Sequence, residues 1–531
     1  MDNRISTMEH KSNAAATPLR PLQEKLAFGG LTLLIVYAVF RSLLTAAGRP
    51  FWADEMLTVA VVQRPSVPAV YDSLRQALDS NPPGFYLIER AAASLIPNAH
   101  IALRLPSILG FAAVLLCVFV FVRKRSNGPI ALLCSSLLFL SALYQPYATE
   151  ARPYGLEVAC IALALVCYQR APALGWVILL GCSLFLAETL HYYAIFAVVP
   201  FAAAEAAFLL RNRNVRWTVW IALMCGFLPL ALFWPLLSNF RVYYGVHQWA
   251  PPSRVFLAAV NGWLFHVNGP LGIGVGVMCV AGVAGALARL RFGNAVADCG
   301  TETPTEEYVL ALVFLGFPLI AYVATKAAHG ALTERYALPE LLGICVAAGY
   351  LLRWLGRRGM AAFTLFLIGA VGYQERDFFA QHRGRLGKLA SPAEAVEGLV
   401  TSAGYDNLPV VVSNGLDYVP IAHYATPEWA RRFVVLVDTP GSIVYTESDT
   451  VDKELLILKL YVPLQVYEFS DFVTEHPQFL LYSGDPSRFD WWPKRLVREG
   501  YSVRLVVLND SQKIYLVDAS AVSQAAPEPS N

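Results

Sequence analysis

The sequence predicts an all-α polytopic membrane domain of about eleven transmembrane helices, followed by a small C-terminal α/β domain. Three observations carry that expectation: the scarcity of charge, apolar runs of spanning length, and a change of pattern near residue 376. Of 531 residues, 56% are hydrophobic and 15% charged, with mean hydropathy +0.48. A soluble chain carries about 25% charge, so the missing charge calls for an apolar solvent. A net charge of +2 gives no reason to expect a nucleic-acid partner, and the lipid bilayer is the expected one.

A spanning helix needs about 20 mostly apolar residues. Candidate runs lie at 26–46, 104–122, 129–147, 154–169, 174–190, 192–210, 217–237, 267–288, 308–328, 337–354 and 360–375. The first 25 residues are polar, carry Arg4, Lys11, Arg20 and Lys25, and read as a cytoplasmic tail before an uncleaved anchor. Eight of the nine cysteines, Cys117, Cys134, Cys160, Cys167, Cys182, Cys225, Cys279 and Cys345, sit in apolar runs, and only Cys299 is in a polar stretch. None has metal-ligand spacing, so they read as small core residues. The glycine-rich run 272–276 lies inside a candidate span, where helix packing explains it better than a cofactor does.

Orientation follows from the Lys/Arg bias of short loops. With the N-terminus in the cytoplasm, Arg123–Lys124–Arg125, Arg170, Arg211/Arg213/Arg216, Arg289/Arg291 and Arg353/Arg357/Arg358 all fall inside. An odd number of spans then exports the C-terminus. The expected domains are therefore a tail over 1–25, a membrane domain over 26–375 with a long first external loop at 47–103, and an extracytoplasmic domain over 376–531. In that last part, helix-like stretches at 392–403 and 488–499 alternate with β-rich runs at 409–413, 433–438, 478–482, 501–508 and 513–518. The pattern predicts a small α/β domain ending in a hairpin at Asn509–Asp510, without a glycine-rich phosphate loop.

The polar residues are distributed asymmetrically. Asp54, Glu55, Glu150, Glu157, Glu188, Glu334 and Glu340 fall in external loops or at outer helix ends, as do all histidines except His10. Among carboxylates within helices, Glu205 alone lies toward the cytoplasm. A carboxylate at the bilayer centre costs about 2.5–3.5 kcal/mol, whereas outer-end carboxylates mark a polar cavity opening outward. Individually they can simply solvate helix ends; as a set they point to a site.

The first external loop reads Phe51–Trp52–Ala53–Asp54–Glu55, then Asn81–Pro82–Pro83–Gly84–Phe85–Tyr86, with an amphipathic interfacial segment at 83–96. Paired carboxylates there can deprotonate an acceptor or hold a divalent cation. They can also merely begin an interfacial helix, since acids favour helix N-termini.

These motifs, with Leu103–Arg104–Leu105–Pro106–Ser107, Tyr147–Ala148–Thr149–Glu150–Ala151–Arg152–Pro153–Tyr154, His191–Tyr192–Tyr193 and Arg335–Tyr336–Ala337–Leu338–Pro339, together resemble one family. It is the membrane glycosyltransferases of the GT-C fold, close to protein O-mannosyltransferases and lipid A aminoarabinose transferases. The resemblance is dense over 50–200, patchy to 340 and weak beyond. Asn81 departs from it, standing where many relatives have histidine.

The resemblance implies transfer of a sugar from a polyprenyl-phosphate donor to an acceptor on the external face of the membrane, that of a bacterial plasma membrane. The acceptor is protein, lipid or polysaccharide, and the sequence does not choose among them. The family pattern assigns the base to Asp54 and leaves Glu55 to orient the site or bind a cation. Arg152 and Arg335 can hold the departing phosphate through their planar, bidentate guanidinium groups, or else anchor helix ends at the interface. Glu150, Tyr154, His191 and Tyr192 are candidate substrate or metal contacts, and His191 beside two tyrosines also fits an ordinary hydrogen-bonded interfacial residue. Two other classes compete. A transporter or lipid flippase would place charges near the bilayer midplane, where these helices have none. A non-catalytic scaffold would leave Asp54, Arg152 and Arg335 unexplained.

Overall fold

The computed structural model describes residues 19–265, 303–353, 357–381, 383–384, 387–484 and 486–520. The expected span at 267–288, with its glycine run and Cys279, and Cys299 beyond it lie outside the described residues. What is described is mostly helical, with one small sheet near the C-terminus.

Four helices are long and apolar enough to cross a membrane: Pro21–Gly48, Ala99–Arg125, Tyr192–Asn212 and Glu334–Leu352. Two further runs are bent pairs: Trp217–Leu232 with Trp234–Tyr244, at 57°, and Thr305–Leu315 with Phe317–Ala328, at 60°. Gly128–Leu140, Tyr154–Tyr168 and Leu174–Leu190 are shorter apolar helices. The chain is a multi-pass integral membrane protein. By length and composition, four helices among the described residues qualify as spans, or six if each bent pair counts as one; this does not reach the expected eleven and does not exclude it. The expected span 360–375 lies within the helix Arg357–Gln381.

One expected span, 129–147, is not a continuous helix. That apolar run breaks: the helix tightens into a 3-10 turn over Leu137–Leu140, Ser141 is extended, and a new short helix runs Tyr144–Ala148. Gln145 Nε2 donates to the Phe139 carbonyl at 2.9 Å, satisfying a group freed by the break. Irregular backbone of this kind survives in an apolar setting only where protein or a cavity covers it. The lipid-facing side is plain on the first helix, where Leu22, Leu26, Leu33, Val36 and Phe40 are exposed, as a bilayer permits and water does not.

Glycine brings two helices together beside the loops that follow. A Cβ on Gly110 would lie 2.5 Å from the Gly155 carbonyl carbon, and one on Gly155 would overlap the Ser107 carbonyl. Leu105–Arg125 and Tyr154–Tyr168 therefore pack backbone to backbone. The first loop folds into the short helices Ala53–Val62, Val67–Arg75, Pro83–Leu95 and Ala99–Ala102. Gly84 opens one of them closely against Thr189, whose carbonyl would lie 2.6 Å from an added Cβ.

The sheet has six strands: β1 (Val410–Val412), β2 (Phe433–Val437), β3 (Val466–Glu468), β4 (Gln478–Ser483), β5 (Ser502–Asn509) and β6 (Gln512–Asp518). Their order is β3-β2-β1-β4-β6-β5. The first four are parallel, while β5 and β6 form an antiparallel hairpin whose turn places Asp510 at positive φ. β1, β2 and β4 are buried almost throughout, as strands covered on both faces should be.

The sheet region is tied to the membrane part by named contacts. Tyr424 Oη is 2.7 Å from His100 Nε2 and accepts from the Phe51 amide at 2.8 Å. The helix Thr450–Leu458 and the residues just before it clasp the end of Trp234–Tyr244 and the segment that follows: Lys453 Nζ donates to the Tyr243 carbonyl at 2.7 Å, and Ser448 Oγ to that of His247 at 3.0 Å. Arg488 donates to the Trp249 carbonyl. Further on, Tyr461 Oη donates to Gln76 Oε1 at 2.8 Å, and Arg64 donates to the Tyr461 carbonyl at 3.3 Å.

Candidate functional site

Asp54 and Glu55 open the helix Ala53–Val62, one residue apart and therefore about 100° apart around its axis. That rotation separates their environments. Glu55 is fully buried. Its Oε1 accepts from Arg104 Nε at 2.8 Å and the Ala151 amide at 2.7 Å; its Oε2 accepts from Arg104 Nη2 at 2.6 Å and the Trp52 amide at 3.3 Å. Arg49 adds a longer ion pair at 3.6 Å. Burial alone would raise the Glu55 pKa, but Arg104, Arg49 and the Ala151 amide together hold it below the usual carboxylate value.

Arg104 spends its other donors on the end of the first helix, reaching the carbonyls of Ala46, Arg49 and Pro50 at 2.8, 2.6 and 3.0 Å. Glu55 and Arg104 thus lock the first helix, the first-loop helix and the 149–153 segment into one unit. The physical meaning of Leu103–Arg104–Leu105–Pro106–Ser107 lies there, with Ser107 Oγ donating to the Arg152 carbonyl at 2.5 Å.

Asp54 turns the other way and keeps 18% of its side chain exposed. Its Oδ2 accepts from Arg335 Nη1 at 2.8 Å. Among the described residues nothing hydrogen-bonds its second oxygen. Arg335 is flanked by the rings of Tyr154, Trp249 and Tyr336, each with its centroid 5.4–5.7 Å from the guanidinium carbon. Arg152 lies alongside, pairing with Asp79 at 2.6 and 3.4 Å and donating to the Asp54 carbonyl at 3.1 Å.

Buried donors remain unsatisfied in this array: Trp52 Nε1, Arg152 Nε and Arg335 Nε have no partner among the described residues, nor does the acceptor Glu150 Oε2. Leaving such groups dry costs about 1–3 kcal/mol each, so the site is built for a polar occupant. Glu150 makes a single long ion pair, to Arg49 at 3.6 Å, and burial pushes its pKa up to about 8.

The structure brings Asp54, Glu55, Glu150, Arg152, Tyr154 and Arg335 together. His191 joins them indirectly: its Nδ1 lies 3.1 Å from Glu157 Oε2, and its ring lies 5.5 Å from Tyr154 and 5.2 Å from Tyr336. The charged neighbour of Tyr192 is Glu188, not Asp54. Three participants escaped the sequence reading. Asp79 stands two residues before the Asn81–Pro82–Pro83 motif, which was its only signal, and Arg49 closes the first helix. Glu454, on the helix Thr450–Leu458, senses the charges of Asp54, Asp79, Arg152 and Arg335. Nothing in its local sequence marks it. Among the described residues, no three His, Cys, Asp or Glu side chains converge as metal ligands.

No family model matches the chain, and no curated protein does. Among solved structures it is similar to ArnT from Cupriavidus metallidurans bound to undecaprenyl phosphate. That likeness has a TM-score of 0.52 at 10% identity, over 94% of this chain and 99% of the other. Two others align less well: apo ArnT from the same organism (TM-score 0.44, 12% identity, 94% and 100% covered) and the apo Archaeoglobus fulgidus oligosaccharyltransferase (0.45, 13%, 91% and 73%). At 10% identity the first likeness speaks for architecture alone, and that architecture is the GT-C fold named by the sequence resemblance.

Proposed function

We propose that this protein is an integral membrane glycosyltransferase that moves a sugar from a polyprenyl-phosphate donor to an acceptor on the extracytoplasmic face. The observation that carries the reading is Asp54, held through one oxygen by Arg335 while the other is free, beside a second arginine with an unsatisfied Nε. Undecaprenyl phosphate bound to the ArnT structure of the same fold adds support for the donor class.

In this mechanism the free oxygen of Asp54 takes the proton from the acceptor hydroxyl as its oxygen attacks the anomeric carbon. The bond from that carbon to the phosphate oxygen breaks, and the polyprenyl phosphate leaves as a stable anion without needing a strong acid. Arg335 and Arg152 receive that anion, their unused N–H groups already desolvated and aimed by Asp54 and Asp79. Glu55 takes no part in bond making; with Arg104 it fixes the helix turn that presents Asp54. Glu150 and His191 carry donors that a divalent cation can use, and no step above requires one.

Orientation completes the reading: N-terminus in the cytoplasm, C-terminal sheet region outside, in a bacterial plasma membrane. The rival transporter reading gains from the two bent helix pairs. Yet no charged residue lies within a turn of either bend, at Phe233 or Gly316. Mass spectrometry of envelope glycans and glycoconjugates with and without the protein tests the proposal. It expects one sugar modification to vanish; unchanged glycans alongside altered solute uptake would contradict it.

A further inference from the structure

The helix Thr450–Leu458 bridges two parts of the membrane unit. At its start, Thr450 Oγ1 and the Asp449 amide each reach the His247 carbonyl at 3.4 Å. Just beyond its end, Tyr461 binds Gln76 and Arg64 of the first loop. Residues 450, 454 and 457 follow i, i+4 and i+7 spacing within the helix, while Val451 and Leu455 pack against Gly415 of the sheet region. Anchored at both ends, the helix brings Glu454 within electrostatic reach of Asp54, Asp79, Arg152 and Arg335, and of Tyr244.

Charge counting shows what Glu454 lacks. Arg104 pairs with Glu55, Arg49 reaches Glu150, Arg152 pairs with Asp79, and Arg335 with Asp54. Each of these four guanidiniums is thus taken by a carboxyl group, and Glu454, like Glu89 behind Glu55, has neither hydrogen bond nor ion pair among the described residues. A donor phosphate would gain nothing from it. A group that donates hydrogen bonds would. The helix also belongs to the side from which an acceptor outside the bilayer must come, whereas a lipid-linked donor arrives from the bilayer.

We infer that Glu454 is an acceptor-contacting residue, lent to the site by the C-terminal sheet region, that accepts a hydrogen bond from a hydroxyl or ammonium group of the acceptor. The inference rests on the glycosyl-transfer reading above. It makes the sheet region part of the site and gives it a share in acceptor choice. The carboxyl is poised for such a partner: burial and the nearby Asp54 and Asp79 push its pKa up to about 8, and a bound hydrogen-bond donor would draw the carboxylate back.

The test uses full-length wild type, Glu454→Gln and Glu454→Ala in nanodiscs. The donor is the sugar-labelled polyprenyl-phosphate pool extracted from cells lacking the protein, and membranes of those cells, titrated, are the acceptor probe. Binding of undecaprenyl phosphate reports an intact donor site. The inference expects Glu454→Ala to raise the half-saturating acceptor amount at least tenfold, with donor KM and undecaprenyl phosphate binding changed less than threefold. If Gln restores acceptor affinity, the partner is a hydroxyl, which an amide oxygen still accepts from. If Gln fails as Ala does, the partner is an ammonium. An unchanged acceptor titration in Glu454→Ala, a rise in donor KM instead, or loss of undecaprenyl phosphate binding in both variants would overturn it. Wild-type protein that transfers nothing from the lipid-linked pool would overturn the functional reading itself.

Discussion

Arg335 Nη1 lies 2.8 Å from Asp54 Oδ2, joining residues that are 281 positions apart in the chain. The pair fixes the carboxylate's orientation while leaving its second oxygen open, as a base needs. Replacing Asp54 by Asn keeps the shape and removes the proton acceptor. Transfer should fall about 10²–10⁴-fold, with protein level and size-exclusion profile unchanged. Activity within a few-fold of wild type would remove Asp54 from that role.

Arg335 and Arg152 also test the phosphate assignment. Arg335 uses one arm of its guanidinium on a carboxylate and Arg152 uses both, and each keeps Nε unsatisfied. Lysine preserves charge but cannot hold the carboxylate and a phosphate at once. Arg335→Lys and Arg152→Lys should each lower kcat/KM on the order of 10²-fold, with a matching loss of undecaprenyl phosphate affinity. Wild-type affinity in both would place the phosphate elsewhere.

Much of this site was legible because family-like motifs mark its corners, yet the motifs did not say how they meet. The resemblance already gave Asp54 and Glu55 different roles, but not the cause: one residue of helical rotation makes one a carboxylate with an open oxygen and the other a buried clamp on Arg104. Hydropathy read 129–147 as a continuous span because it counts apolar residues and cannot register the extended backbone at Ser141. In the sheet region even three-residue β1 showed itself through its buried Val–Val–Val run, but β3 is Val–Tyr–Glu, partly exposed and without an apolar run to mark it. Glu454 was invisible for another reason: its importance comes from docking across some 400 residues of sequence, the separation of Glu454 from Asp54, and no local pattern encodes that.

Glu150 offers a pH signature. With its pKa pushed up to about 8 from an ordinary value of 4.5, the native state holds a proton that the unfolded chain releases. Stability from this group is therefore fullest below about pH 4.5 and is lost as pH rises through 8. Glu150→Gln, which mimics the protonated form, should fold normally and show a smaller drop in melting temperature between pH 6 and pH 9 than wild type, by about 3 °C or more. Parallel pH profiles for the two proteins would show that Glu150 is ionised throughout.

Basic loops set the expected orientation. Reporters fused after Arg125 and Arg213 should read as cytoplasmic, and those at Tyr147, His247 and Ser520 as external. A cytoplasmic Ser520 fusion would place the sheet region, and Glu454 with it, on the wrong side for an extracytoplasmic acceptor.

The central claim is the donor, and purified protein in liposomes addresses it directly. Supplied in parallel with polyprenyl-phosphate sugar and with the matching sugar nucleotide free of lipid carrier, together with membranes as acceptor, the protein should transfer label from the lipid-linked sugar only. Asp54→Asn should abolish that signal. Turnover from the nucleotide alone would contradict the donor assignment and the roles given to Arg152 and Arg335.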